Sequence, residues 1–154
     1  MKALKLILVL LSFSLICLSQ SLWGGTRYGM SEAEVRELFG TRLKETPWPG
    51  IFFVDMLEHY CGGDFEVQLN FFANPNKGLA SVYLENRTGN PGGVIGNCVL
   101  DDITKKLGHP RTRKQIDGEE YSFGKQSSNL HTTLYTLTHR VVIIYEGRLP
   151  PGDY

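Results

Sequence analysis

His59 and Cys61 stand two residues apart, a spacing that puts both side chains on one face of an extended strand. A thiolate beside an imidazole is the chemistry of a cysteine nucleophile or a soft-metal site, and both require a free thiolate. The other cysteines are Cys17 and Cys98. Cys17 falls in an export signal, which leaves Cys61 and Cys98 as an even pair bound for an oxidising compartment. Such a pair could be a disulfide, two buried thiols or one reactive thiol, and the compartment favours the disulfide. Its loop would hold 38 residues (98 − 61 + 1), a constraint contributing roughly 4 kcal/mol. With the thiol consumed, the remaining hydrolytic option is His59 with a nearby acid, and strand-end residues beside a disulfide are the plainer reading.

The other candidates are more scattered. His131 and His139 lie eight apart (139 − 131), and His109 sits in a helix-end turn. No spacing matches a zinc pattern, and G-x-S-x-G, H-E-x-x-H, P-loop and C-x-x-C motifs are absent from the sequence. Asp101 and Asp102 are helix neighbours and point to different faces. No catalytic residue, metal or cofactor is therefore assigned. The strongest local charge feature is KKLGHPRTRK, Lys105 to Lys114. It could receive an acidic partner or a phosphate-bearing envelope polymer, or be an ordinary solvated helix end. Trp23, Tyr28, Trp48, Phe52 and Phe53 gather in the N-terminal half. Phe52 and Phe53 suit a core, whereas Trp48, between two prolines, suits the surface. The expected binding surface is Trp48 with Lys106, Arg111, Arg113 and Lys114.

The elements that must position these residues are read from periodicity and caps. Ser31 as N-cap with Glu34 three residues on forms a capping box, and Ala33, Val35, Leu38 and Phe39 give a helical stripe over Glu32–Phe39, closed by Gly40. TPWPG breaks the chain. Ile51–Tyr60 reads as a strand, Gly62-Gly63 as a tight turn, and Phe65–Phe71 and Ala80–Glu85 alternate apolar with polar. A glycine-rich connector from Asn86 to Gly96 contains the formal sequon Asn86-Arg87-Thr88, which the bacterial character of the export signal makes incidental. Asn97 caps a second helix carrying Val99, Leu100, Ile103 and Leu107, ended by Gly108 and Pro110. Glu120–Phe123, Leu130–Thr138 and Val141–Tyr145 are strands, the last the most apolar and hence central. The resulting expectation is an α+β fold of two short helices packed on one face of an antiparallel sheet, in the order α-βββ-α-βββ. The helix ends ELFGT and KKLGHP hint at a duplicated unit.

The N-terminus carries Lys2 and Lys5, an apolar run Leu6–Leu18, and small residues at Ser19 and Ser21. A run of about thirteen residues fits a signal h-region and falls short of the roughly twenty needed to span a bilayer. Cleavage is expected after Ser21, with Ser19 the alternative. Ile16 and Ser14 break the lipobox that Cys17 would need. The signal takes two lysines and no acid, leaving 14 basic (16 − 2) against 16 acidic residues, a formal charge of −2. That balance argues against nucleic acid as a partner. The remaining 133 residues (154 − 21) fit one domain, 22–154, in the periplasm or outside the cell.

Trp23 to Gly40 (WGGTRYGMSEAEVRELFG) and Cys98 to Pro110 (CVLDDITKKLGHP) resemble segments of small exported bacterial proteins sharing the fold of the BamE (SmpA) assembly lipoproteins and the β-lactamase-inhibitor-like proteins. The resemblance covers about a third of the chain and implies helices on one face of an antiparallel sheet used for protein contacts. It departs from that group in lacking a lipobox and in placing strands between its helices. The function expected is an exported, non-enzymatic domain of the bacterial envelope that binds a protein or envelope component. The alternatives are a secreted or periplasmic hydrolase using His59, and a structural subunit of an envelope assembly.

Overall fold

The computed structural model describes residues 21–86, 93–124, 130–138 and 140–147. The signal segment up to residue 20, His139, the Gly124–Asn129 turn beyond Gly124 and the Pro150-Pro151 tail lie outside these. The described chain forms α1 (Glu32–Phe39), β1 (Leu43–Glu45), β2 (Ile51–Tyr60), β3 (Gly63–Phe71), β4 (Leu79–Asn86), α2 (Val94–Leu107), β5 (Arg111–Gln115), β6 (Gly118–Phe123), β7 (Leu130–Leu137) and β8 (Arg140–Gly147). All eight strands join one antiparallel sheet in the order β1-β2-β3-β4-β8-β7-β6-β5.

This corrects the expected order α-βββ-α-βββ to α-ββββ-α-ββββ. The two strands missing from the sequence reading are the two edges. β1 has one buried residue, Leu43, and β5 (RTRKQ) has none, so neither shows an alternating pattern. They are strands because β2 and β6 offer them a ladder, Leu43 opposite Val54 and Arg113 opposite Glu120. A three-residue edge and an edge studded with Arg111, Arg113 and Lys114 both discourage pairing with foreign strands.

α1 follows its capping signals. Ser31 accepts from the Glu34 amide, the Glu34 carboxylate accepts from the Ser31 amide, and Val35 and Phe39 are buried. α2 starts earlier than expected, at Val94 with Gly93 as its cap residue, so Asn97 lies in its first turn. Val99 and Ile103 of α2 join Val35 and Phe39 of α1 in a single core with Phe52, Val54, Phe65, Val67, Leu69, Leu84, Leu134 and Ile143. These strand residues are in mutual register, Val54–Val67–Leu84–Ile143–Leu134 across five strands, so they share one sheet face. Both helices cover that face. β8 is central, paired to β4 and β7.

The strand order gives the fold a plan of two halves. Each is a helix followed by a four-strand meander, and their last strands, β4 and β8, pair antiparallel at the middle. The glycine-terminated helices hinted at in the sequence begin the two halves.

A disulfide and a side-chain hydrogen bond tie the β2–β3 hairpin to α2. Tyr60 pairs with Gly63, so the two turn residues are Cys61 and Gly62 rather than Gly62-Gly63. Both have positive φ, 53° and 77°, as the right-handed twist of a two-residue hairpin requires. Cys61 is bonded to Cys98 of α2, with their Cα atoms 5.8 Å apart. The Tyr60 hydroxyl donates to Asp102, and Lys106 donates to the same carboxylate at 2.6 Å. Asn86, at the end of β4, is fully buried and donates from Nδ2 to the Asp64 carbonyl at 2.7 Å. The sequon asparagine is thus packed in the fold; Arg87 and Thr88 lie outside the described residues.

Candidate functional site

Among the described residues both helices lie on one face of the sheet, and the register arranges the side chains of the other face in rows. One row runs Leu57–Glu66–Glu85–Val142–Tyr135–Glu120–Arg113 from β2 to β5. The next runs Lys44–Phe53–Gln68–Tyr83–Ile144–Thr133–Ser122–Arg111 from β1 to β5. The middle of both rows, Glu66, Glu85, Val142 and Tyr135 of the first and Phe53, Gln68, Tyr83 and Ile144 of the second, lines a groove of about 620 Å³, which also takes in Ile116 and Asp117 from the β5–β6 turn and Arg140 from β8. A second hollow of about 330 Å³ continues past Phe53 and Glu66 to Leu57. In that stretch β2 carries two extra residues, Asp55 and Met56, between its pairings at Val54 and Leu57. Two extra residues keep the alternation in phase, so Leu57 stays on the open face.

The groove combines apolar and acidic surface. Phe53 is 38 % exposed, Leu57 58 % and Ile116 fully exposed. Phe53 therefore corrects the expectation of a core position; only its neighbour Phe52 is buried. Glu66 and Glu85 face each other directly across β3 and β4, an arrangement that destabilises a ladder. Arg140 donates to Glu85 at 3.1 Å, and Lys44 lies 3.6 Å from Asp55. Glu66 has no ion-pair partner among the described residues. The phenols of Tyr83 and Tyr135 are held above their ordinary range. Loss of hydration is the main cause for each, followed by Glu146 for Tyr83 and by Glu120 for Tyr135. Both stay neutral and can donate.

The expected binding residues are not brought together. Trp48 is 63 % exposed in the β1–β2 loop, beside one edge strand, while Arg111, Arg113 and Lys114 lie on β5, the other edge. Arg111 and Arg113 close the two open-face rows, whereas Lys114, one register step away, pairs opposite Glu119. Lys106 projects from α2 on the covered side, engaged with Asp102 and 5.9 Å over the Tyr60 ring. The signal that could have found the groove was the polar half of each strand's alternation, where Glu66, Gln68, Tyr83 and Glu85 recur at period two.

His59 Nδ1 lies 2.8 Å from Asp64 Oδ1 across the hairpin end, with the two side chains 74 % and 53 % exposed. Cys61, its neighbour, is committed to the disulfide. His131 contacts Thr133 at 3.1 Å, and His109 is exposed. Among the described residues, no group of three His, Cys, Asp or Glu side chains could hold a metal ion, and no helix is long and apolar enough to cross a membrane. No family model, curated protein or solved structure matches the chain.

Proposed function

We propose that this chain is an exported, non-enzymatic interaction domain of the bacterial envelope whose bare sheet face is its contact surface. The observation that carries the reading is the groove of about 620 Å³ on the open sheet face, lined by the exposed Phe53 and Ile116, with the exposed Leu57 in the hollow of about 330 Å³ that continues it. Exposed apolar side chains among polar ones are the make-up of a macromolecular interface rather than of a surface meant only for water. The Lys2–Ser21 export pattern and the Cys61–Cys98 disulfide support a site of action outside the cytoplasm. The resemblance of Trp23–Gly40 and Cys98–Pro110 to the BamE and β-lactamase-inhibitor-like group supports a role in protein contacts. The His59–Asp64 pair favours hydrolysis only as a general base. It stands in open solvent, and Cys61 beside it is committed to the disulfide.

Site-specific photo-crosslinking in the producing cell tests the surface. A photoreactive residue in place of Tyr135 or Val142 is expected to capture a discrete partner. One in place of Leu107, on α2, is not. Capture from Leu107 alone would move the contact surface to the helices. Intact mass of the exported product, expected to begin at Leu22, tests the localisation.

A further inference from the structure

We infer that the groove receives a lysine or arginine of a partner protein, carried between apolar residues on an extended segment or loop. This rests on the open face being the contact surface and adds the chemistry of what occupies it.

Three observations give the occupant its chemistry. The groove lining holds Glu66, Glu85 and Asp117 against a single base, Arg140, an excess of two negative charges (3 − 1). The ladder places Glu66 and Glu85 directly opposite each other, where like charges repel. An incoming cation between them would relieve that repulsion. Arg140 already shows that a guanidinium fits, since it reaches Glu85 while Glu66, one strand further, is left to a ligand. The flanking positions are apolar on both sides, with Phe53 and Leu57 towards β2 and Ile116 and Leu137 towards the β5–β6 hairpin. A cation alone would leave these exposed, whereas a basic side chain set between apolar ones covers them. Tyr83 and Tyr135, both neutral donors and acceptors, suit the backbone of such a segment.

Backbone NMR titration of the oxidised chain, without its signal, tests this with three probes: acetyl-Leu-Arg-Leu-amide, acetyl-Leu-Gln-Leu-amide and spermidine. The arginine peptide is expected to shift the amides of Glu66, Glu85 and Val142 saturably. The glutamine peptide is expected to bind about fivefold more weakly, and Glu66→Gln or Glu85→Gln to weaken the arginine peptide on the order of threefold each. Equal binding of both peptides would overturn the inference while leaving the open face as the contact surface. Spermidine binding as tightly as the arginine peptide would overturn it in favour of a polyamine site. Shifts of the same amides on dilution of the protein alone would replace the partner with a second copy of this chain. Arginine-peptide shifts confined to α2 or β5, or none up to the solubility limit, would overturn both readings. The spectra of the two variants report their folding directly.

Discussion

Glu66 and Glu85 occupy directly opposed positions on β3 and β4, and the adjacent Arg140 reaches Glu85. A ladder optimised only for stability would alternate charge across that pair. The arrangement holds a local electrostatic cost on the bare face, in a row whose register is set by core residues one position away, Val67 and Leu84.

Relieving that cost should stabilise the fold. Glu66→Gln is expected to raise unfolding free energy by about 0.5 kcal/mol at low salt, an advantage that shrinks as salt screens the carboxylates. Urea unfolding of both proteins at low and high ionic strength measures it. A destabilised variant would mean that Glu66 has a structural partner.

The two faces of the sheet predict opposite responses to the same kind of truncation. Leu69 is fully buried beneath the helices, so Leu69→Ala should cost about 2–5 kcal/mol. Leu57, 58 % exposed on the open face, should lose no more than about 0.5 kcal/mol as alanine. Comparable losses at both sites would show that the open face is covered in the folded monomer.

Legibility in the sequence followed burial on one side only. α1 could be read to the residue because Ser31, Glu34 and Gly40 carry its ends locally. β3 could be read because Phe65, Val67 and Leu69 alternate with Asp64, Glu66 and Gln68. β1 and β5 could not, since an edge strand owes its conformation to a neighbour's hydrogen bonds. Phe53 read as core because apolar type does not say which face a residue takes; that is decided by its register with Gln68. The groove itself depends on joining β4 to β8, a pairing between residues about sixty apart that no local pattern encodes. Trp48 was legible as exposed from its flanking prolines, but its distance in strand order from Arg111 and Arg113 was not.

The disulfide joins the hairpin turn to α2 across a 38-residue loop (98 − 61 + 1). The paired substitution Cys61→Ser with Cys98→Ser is expected to lower unfolding free energy by roughly 4 kcal/mol. Guanidinium unfolding with and without reductant provides the same comparison on the unmodified chain. Intact mass after alkylation under non-reducing conditions should show neither Cys61 nor Cys98 labelled.

Asp102 makes the same junction sensitive to acid. Its carboxylate is held below the ordinary 3.8, first by the hydrogen bond from Lys106 and then by that from Tyr60. The Tyr60 phenol is pushed up, mainly by burial and then by Asp102. A carboxylate whose folded pKa is depressed adds stability above its unfolded pKa and loses it as pH falls through the folded value. Because Asp102 is a third exposed, screening limits the contribution, and Asp102→Asn should cost about 1 kcal/mol at neutral pH. The gap between the two proteins should hold down to about pH 4 and close below it as Asp102 protonates. Urea unfolding across that range decides the point. A gap that persists in acid would mean that Asp102 acts through its neutral hydrogen bond to Tyr60, and that Lys106 contributes little to holding α2 against the hairpin.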